Sequence, residues 1–300
     1  MSIKINRFIL SLISFVTLFS SLELRTSAYV DMRPDNSDFL NELGSAGSLD
    51  QSGVDIVFWL REMQMVLHQP IVVGMSVKNN LRQPLQLNLG PNRTDAFIFD
   101  LQFPDGRKIR LPRLSGEGLV HPGLIQVLPK QEYAQSLLLN QWTDFPIHGK
   151  YILTVLLANE IKTANGKRVN ANRTFKIEFM ILERNKEVIE TISNNLVQRI
   201  LNSDSRVEIS RAARELSYID DPVAIPYLQK AMIADERVAL SIIDTFIEKG
   251  GKVSVDVLIC ILTAEPDSKW RSMAESALKI IEFKSSDVNL KQRIKDFLKY

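Results

Sequence analysis

The fold of the C-terminal half is decided by the stretch Ala212-Ala-Arg-Glu-Leu-Ser-Tyr-Ile-Asp-Asp-Pro-Val-Ala-Ile-Pro-Tyr-Leu-Gln-Lys-Ala231. Its first part is rich in alanine, the strongest helix former. Asp221-Pro222 then places an N-cap residue and a proline at the start of a second helix. The stretch therefore predicts two helices joined by a short turn.

Related signals continue on both sides of this stretch. Ser205-Arg-Val-Glu208 has the spacing of a capping box, and Gly250-Gly251 marks a helix end. Over residues 185–300 these signals predict about seven helices. When the turns are aligned, three sets of apolar positions correspond at offsets of 30 and 32 residues, as expected for stacked helical repeats. The sets are Leu216, Phe246 and Leu278; Leu228, Leu258 and Leu290; and Met232, Leu262 and Ile294.

The stretch from Ala212 to Ala231 resembles a HEAT repeat of the short bacterial type, with an alanine-rich first helix, an Asp-Pro turn and Ala-Ile-Pro-x-Leu opening the second helix. The later units depart from it, because Gly250-Gly-Lys252 replaces Asp-Asp-Pro and Phe283-Lys-Ser-Ser286 enters the last unit. The resemblance implies a short HEAT-like α-solenoid over residues 185–300, an architecture that presents an extended surface to protein partners. A compact helical bundle without repeat stacking is the alternative.

Residues 54–184 have the pattern of short β-strands separated by turns. Leu85, Leu87 and Leu89 alternate with polar residues, which is typical of a half-buried strand. Asp105-Gly106 and Asn165-Gly166 have the residue chemistry of hairpin turns. About seven strands in this region predict a β-sandwich.

The same region is similar to immunoglobulin-like modules of secreted bacterial proteins, in which a Pro-Gly-x-Tyr step opens a late core strand. The sequence has His148 where that step has proline. The resemblance is carried by Gln69-Pro-Ile-Val-Val73, Val77-Lys-Asn-Asn80, Pro84-Leu-Gln-Leu-Asn-Leu89, Leu128-Pro-Lys-Gln-Glu132, Leu137-Leu-Leu-Asn140, Trp142 and His148-Gly-Lys-Tyr-Ile-Leu-Thr-Val155. It implies a fold, an immunoglobulin-like β-sandwich, and no particular activity.

The N-terminus has the pattern of an export signal. A short basic start is followed by an uncharged apolar run from Phe8 to Leu22 and by the small residues Thr26-Ser-Ala28. We expect residues 1–28 to be a secretory signal peptide, with an uncleaved anchor as the alternative. Residues 29–53 carry five acids against one base and are expected to form a flexible acidic linker. The protein is thus expected in the periplasm, the cell envelope or the extracellular medium.

Charge argues against a nucleic-acid partner. The whole chain has 37 Lys plus Arg and 35 Asp plus Glu, and the surplus lies in the first 28 residues. A neutral mature chain lacks the positive field that steers proteins onto phosphate backbones. Arg206, Arg211, Arg214 and Arg237 make the first predicted helices basic, but acids interleave with them, so we interpret this surface as a solvated, mixed one.

No catalytic motif is present. His68, His121 and His148 are not at metal-ligand spacings, and neither a nucleophile elbow nor a phosphate-binding loop occurs. Cys260, the single cysteine, lies in an apolar run that indicates a buried, inert thiol. We therefore name no catalytic, cofactor-binding or metal-binding residue and expect no cofactor. Asn92-Arg-Thr94 and Asn172-Arg-Thr174 match the glycosylation acceptor pattern, which matters only in a eukaryotic source.

Trp59 and Trp142 are the aromatic side chains considered for ligand stacking, and their apolar contexts favour core packing for both. The sequence predicts an exported, non-catalytic protein-protein interaction or scaffold protein whose partner is bound by the helical repeats. The alternative is a carbohydrate-binding or envelope-adhesive protein that uses the β-sandwich. A hydrolase or inhibitor with a site assembled in three dimensions is the third hypothesis.

Overall fold

The computed structural model describes residues 46–48, 53–90, 94–114, 123–264 and 270–299. The expected signal peptide lies outside these residues, as does most of the expected linker, although Ala46–Ser48 within that linker forms the first strand. The strands are β1 Ala46–Ser48, β2 Val54–Leu60, β3 Gln64–Val66, β4 Val72–Asn79, β5 Leu85–Asn88, β6 Phe97–Gln102, β7 Lys108–Arg110, β8 Leu124–Val127, β9 Glu132–Leu138, β10 Gly149–Leu157, β11 Ile161–Thr163 and β12 Thr174–Leu182.

The strands form three sheets around a shared hydrophobic core. The first sheet has the order β1-β2-β4-β9, the second β3-β12-β10-β6-β7 and the third β11-β5-β8. The predicted alternation in β5 is confirmed, because Leu85 and Leu87 are buried while Asn88 is exposed. The predicted turn at Asp105-Gly106 is confirmed too, with β6 and β7 antiparallel and Gly106 at a φ of 85°.

The predicted immunoglobulin-like β-sandwich is wrong as a fold class. The described strands form three sheets where a sandwich has two, and none of these sheets closes. In addition, β3 pairs in parallel with β12, with Gln64 opposite Met180. The prediction failed because β3 and β11 are three-residue strands that lie, along the sequence, between longer strands. Strands this short carry almost no periodic signal, so the sequence pattern did not show the mixed sheet or the third sheet.

The C-terminal region consists, within the described residues, of seven helices. They are α1 Lys186–Asn202, α2 Arg206–Ser217, α3 Ile225–Ala234, α4 Glu236–Lys249, α5 Lys252–Ala264, α6 Arg271–Lys284 and α7 Val288–Leu298. Three predicted helix boundaries are confirmed. The Ser205 side chain accepts a hydrogen bond from the backbone N–H of Glu208, Asp221 caps the turn before α3, and Gly250 adopts the left-handed conformation after α4.

The predicted HEAT-like solenoid is wrong as well. The repeat unit expected over residues 212–231 contains the end of α2 and most of α3, yet these two helices pack little against each other. The extensive contacts join α1 to α2, α3 to α4 and α5 to α6, and α2 and α6 also pack extensively on α4. The predicted unit therefore spans two packed pairs. The coarser order holds: a β-rich region is followed by a helical region. The aligned apolar positions are all buried in the helical core.

In the described part of the chain, no helix combines the length and apolar character needed to cross a membrane.

Candidate functional site

The two regions meet at an ion-pair cluster centred on Glu215 of α2. Both carboxylate oxygens of Glu215 accept hydrogen bonds from the Arg61 guanidinium, at 2.6 and 2.9 Å. Arg199 of α1 approaches the same carboxylate at 3.5 Å. Burial alone would lower the pKa of Arg61, but the hydrogen bond and charge of Glu215 outweigh it and raise that pKa above its usual value. Arg61 follows β2, so this cluster fixes α2 against the first sheet.

A second ion pair joins the regions where the sheet leads into the helices. The Arg184 guanidinium donates to Asp221 at 2.6 and 3.0 Å, and the same carboxylate accepts from the backbone N–H of Val223. Burial would raise the pKa of Asp221, but the Arg184 and backbone hydrogen bonds reverse this effect and lower it. The two ion pairs therefore lie on either side of the turn that joins α2 to α3.

Tyr218, directly after α2, provides an apolar contact between the regions. Its ring packs on Val72 of β4 and Leu138 of β9. Burial raises the pKa of its hydroxyl to about 12. The C-terminal end of α2 is thus anchored beside the C-terminal end of β9.

A cleft of about 450 Å³ opens between β9 and α2. This volume is in the range of ligand-binding clefts. Thr94, Val72 and Gln141 contribute to its wall, as does the β9 stretch 135–138 with Tyr133. The α2 wall consists of Arg206, Val207, Ser210, Arg211, Arg214 and Glu215. The cleft therefore has one wall from each region.

The β9 wall is the edge of its sheet. β9 pairs only with β4 among the described strands. The backbone N–H of Leu139 donates to Ile71, and that of Asn79 donates to Gln131, so the odd-numbered residues of β9 face β4 in the hydrogen-bonding direction. Because bonding direction alternates along an antiparallel strand, the backbone groups of Ala134 and Ser136 point outward to the edge.

The α2 wall carries uncompensated positive charge. Glu215 is occupied by Arg61 and Arg199, and Glu208 of the same helix contacts Arg199 and Arg211. Neither Arg206 nor Arg214 has an ion-pair partner in the part of the chain that the structure describes. Their guanidinium groups give the cleft charged hydrogen-bond donors for an anionic group.

The two tryptophans considered from the sequence do not line this cleft. Trp59 is buried, and its ring lies so close to Gly74 that a Cβ there would meet it at 2.1 Å. Trp142 is buried, and its ring packs edge-on against Phe99 with the ring centroids 5.1 Å apart. The expected core packing of both tryptophans is confirmed, and neither offers a stacking surface for a sugar.

The histidines and the cysteine are not brought together. His148 is exposed on the β-region, His68 lies at a φ of 73° between β3 and β4, and His121 lies outside the described residues. Among described residues, no group of three potential metal ligands occurs. Cys260 is half-buried on α5, more exposed than the apolar run predicts. The sequence indicated Arg206, Arg211 and Arg214, which line the cleft, but it did not predict the cleft itself. Nothing in the sequence of α2 or of β9 indicates that these two elements lie opposite each other.

Comparison with known proteins adds no identity. No family description and no curated protein matches the chain. One similar solved structure is a β-glucosidase from Listeria innocua, with 10% identity, a TM-score of 0.25 and a match that covers 44% of this chain and 16% of that chain. Another is the DNA glycosylase AlkC from Pseudomonas fluorescens, with 10% identity, a TM-score of 0.21 and coverage of 43% of this chain and 30% of that chain. A third is Spo0M from Bacillus subtilis, with 11% identity, a TM-score of 0.24 and coverage of 48% of this chain and 56% of that chain. Likeness at this level carries no conclusion about fold or function.

Proposed function

We propose that this chain is an exported, non-catalytic interaction protein, and that its partner is another protein bound by the helical region at the cleft between α2 and β9. The observation that carries the proposal is the pair of arginines, Arg206 and Arg214, facing the cleft without ion-pair partners in the described residues. Charged donors left uncompensated on a protein surface favour a partner that supplies the opposite charge.

The wall chemistry supports binding rather than bond breaking. The cleft combines guanidinium groups, the Ser210 hydroxyl and the apolar Val207, which is 45% exposed. The Glu215 carboxylate is held by two arginines and serves the junction of the two regions. Protein interfaces commonly pair such exposed apolar side chains with a polar, arginine-rich surrounding.

Export is proposed from the N-terminal pattern alone, the basic start, the apolar run to Leu22 and the small residues ending at Ala28. N-terminal sequencing of the protein isolated from its own envelope or culture fraction tests this. A start at or near residue 29 supports a cleaved signal, whereas an intact Met1 would count against cleavage and favour an anchor.

Site-specific photo-crosslinking tests the binding site. A photoreactive amino acid placed at Ser210, in the cleft, is compared with the same residue at Ser272, the aligned exposed serine on α6. Both positions lie on helices of the same region, so Ser272 controls for nonspecific crosslinking. We expect a discrete crosslinked protein from Ser210 and none from Ser272 in the native cell fraction. Identical products from both positions, or no product from Ser210, would contradict the proposal.

A further inference from the structure

Resting on the proposed function, we infer that the occupant of the cleft is an extended acidic peptide segment of the partner, which pairs with the edge of β9 as an added strand and places carboxylates on Arg206 and Arg214. The inference names the chemical class of the partner segment. Each of its three parts, strand pairing, spacing and charge, has its own observation.

Strand pairing follows from the edge position of β9 among the strands that the structure describes. The outward backbone groups of Ala134 and Ser136 form a donor and acceptor row that no described strand occupies. Peptides bind such edges by main-chain hydrogen bonds, which contribute affinity without distinguishing one peptide sequence from another. Specificity must come from the facing wall, which here is α2.

The spacing of the arginines matches an extended chain. Arg206, Ser210 and Arg214 are four residues apart in turn, so they share one face of α2. At 1.5 Å per residue, Arg206 and Arg214 are separated by about 12 Å along the helix axis. Residues four apart in a β-strand lie on one face and about 13 Å apart. For a peptide that runs along the α2 axis, two acidic residues with three residues between them therefore match the spacing of the two arginines.

Charge selects carboxylates over other groups. The two acids of α2 that lie near the cleft, Glu208 and Glu215, are already engaged by arginines of the same chain. An acidic peptide thus meets two available guanidinium groups, while a basic peptide meets only repulsion. Carboxylate–guanidinium pairs are among the strongest side-chain hydrogen bonds, and they are short-ranged and directional.

The test uses synthetic peptides and the mature protein. The probe is a nine-residue fluorescent peptide of alternating threonine and valine, with glutamates at its third and seventh positions. One control peptide replaces both glutamates by glutamine, a second replaces them by lysine, and a third keeps the glutamates but is N-methylated at alternate amides. We expect the glutamine peptide to bind about a hundredfold more weakly than the probe, about tenfold for each carboxylate replaced, and the lysine peptide not to bind.

The protein variants separate the cleft from general charge. Arg206→Gln and Arg214→Gln should each weaken binding of the glutamate probe about tenfold, and the double variant should abolish it. The matched control Lys279→Gln removes an exposed positive charge on α6 and should leave binding unchanged. Unchanged melting temperatures are expected for all of these variants, because Arg206 and Arg214 are exposed and make no ion pair in the described residues.

The outcomes separate the two proposals. Equal binding of the glutamate and glutamine peptides, or equal losses from Lys279→Gln and Arg214→Gln, would overturn the acidic specificity. Undiminished binding of the N-methylated peptide would overturn strand pairing. If Ser210 crosslinks a partner while the probe fails to bind, the inference falls and the proposed function stands. If the probe binds as expected while Ser210 crosslinks nothing in the native fraction, the proposed function falls.

Discussion

The two regions of the molecule fill their cores with different side chains. The β-region core contains nine buried aromatic residues, including Phe58, Phe99 and Tyr151, and only one alanine. The helical core contains two buried aromatic residues, Phe246 and Trp270, and seven alanines. Facing sheets lie about 10 Å apart and need large side chains to fill the gap. Helices with alanine at their contacts approach more closely, so their packing needs less side-chain volume.

This difference explains how the cleft is built. β9 is fixed by the aromatic core beneath its sheet, with Leu137 packed into it. The opposite wall, α2, contributes Ala212, Ala213 and Leu216 to the helical core and depends on Glu215 and Tyr218 for its position against the sheet. The β wall is thus held by packing, and the helical wall is held to it by charge and one aromatic ring.

The largest effect is expected from removing an aromatic side chain of the β-region. Phe99 is 1% exposed and contacts Trp142 edge-on. Phe99→Ala should lower the free energy of unfolding by about 3–5 kcal/mol through lost burial and the cavity left behind. Chemical denaturation followed by tryptophan fluorescence measures this. A loss below about 1 kcal/mol would contradict the importance of the aromatic core.

A somewhat smaller effect is expected in the helical core. Leu258 of α5 is fully buried. Leu258→Ala should cost about 2–4 kcal/mol, because short helices around alanine contacts have partial freedom to close the cavity. Thermal unfolding followed by the far-ultraviolet helical signal should show a lower midpoint, with the β-signal of residues 54–184 retained. Wild-type helical stability would contradict this packing.

Substitution of Glu215 tests whether the ion-pair cluster between the two regions stabilises the fold. Glu215→Gln keeps the shape of the side chain but removes the charge that holds Arg61 and Arg199. We expect a loss of about 1.5–3 kcal/mol, the usual value for hydrogen bonds to charged groups. Glu275→Gln, which removes an exposed ion pair with Arg271, is the control and should cost at most about 0.5 kcal/mol. Equal losses of unfolding free energy from the two substitutions would mean that the Glu215 cluster stabilises the protein no more than an exposed ion pair does.

The smallest effect is expected at Asp221, and it depends on pH. Asp221→Asn keeps the helix cap but removes the charge paired with Arg184, at an expected cost of about 1 kcal/mol near neutral pH. The pKa of Asp221 is lower in the folded than in the unfolded chain, so its contribution is complete above about pH 4 and is lost as the pH falls further. Denaturation at pH 7 and at pH 3 measures this. A difference between wild type and variant that grows towards pH 3 would contradict the assignment.

The sequence predicted correctly those features that depend on interactions between residues close together in the chain. The caps at Ser205, Asp221 and Gly250 and the alternation at Leu85 and Leu87 are short-range patterns, and each is confirmed. These signals fix element type and boundaries because the interactions they depend on lie within one turn or one strand.

The sequence was insufficient where distant segments meet. The parallel pairing of β3 with β12 joins Gln64 to Met180 across more than a hundred residues, and nothing in either strand specifies the other. The packing of α2 on α4, which α3 separates along the chain, is likewise set by contacts between segments that are not neighbours in sequence. The candidate site depends on the same kind of contact, because Arg214 gains its role only when β9 lies opposite.

Amide exchange at the β9 edge measures strand addition at individual residues. The backbone N–H groups of Ala134 and Ser136 point away from β4, so in the free protein they should exchange faster than those of Val73 and Leu137 within the ladder. On saturation with the glutamate peptide, we expect exchange at Ala134 and Ser136 to slow by at least about tenfold, and the glutamine peptide at the same concentration to have little effect. Unchanged exchange at both residues when the glutamate peptide is bound would contradict the account.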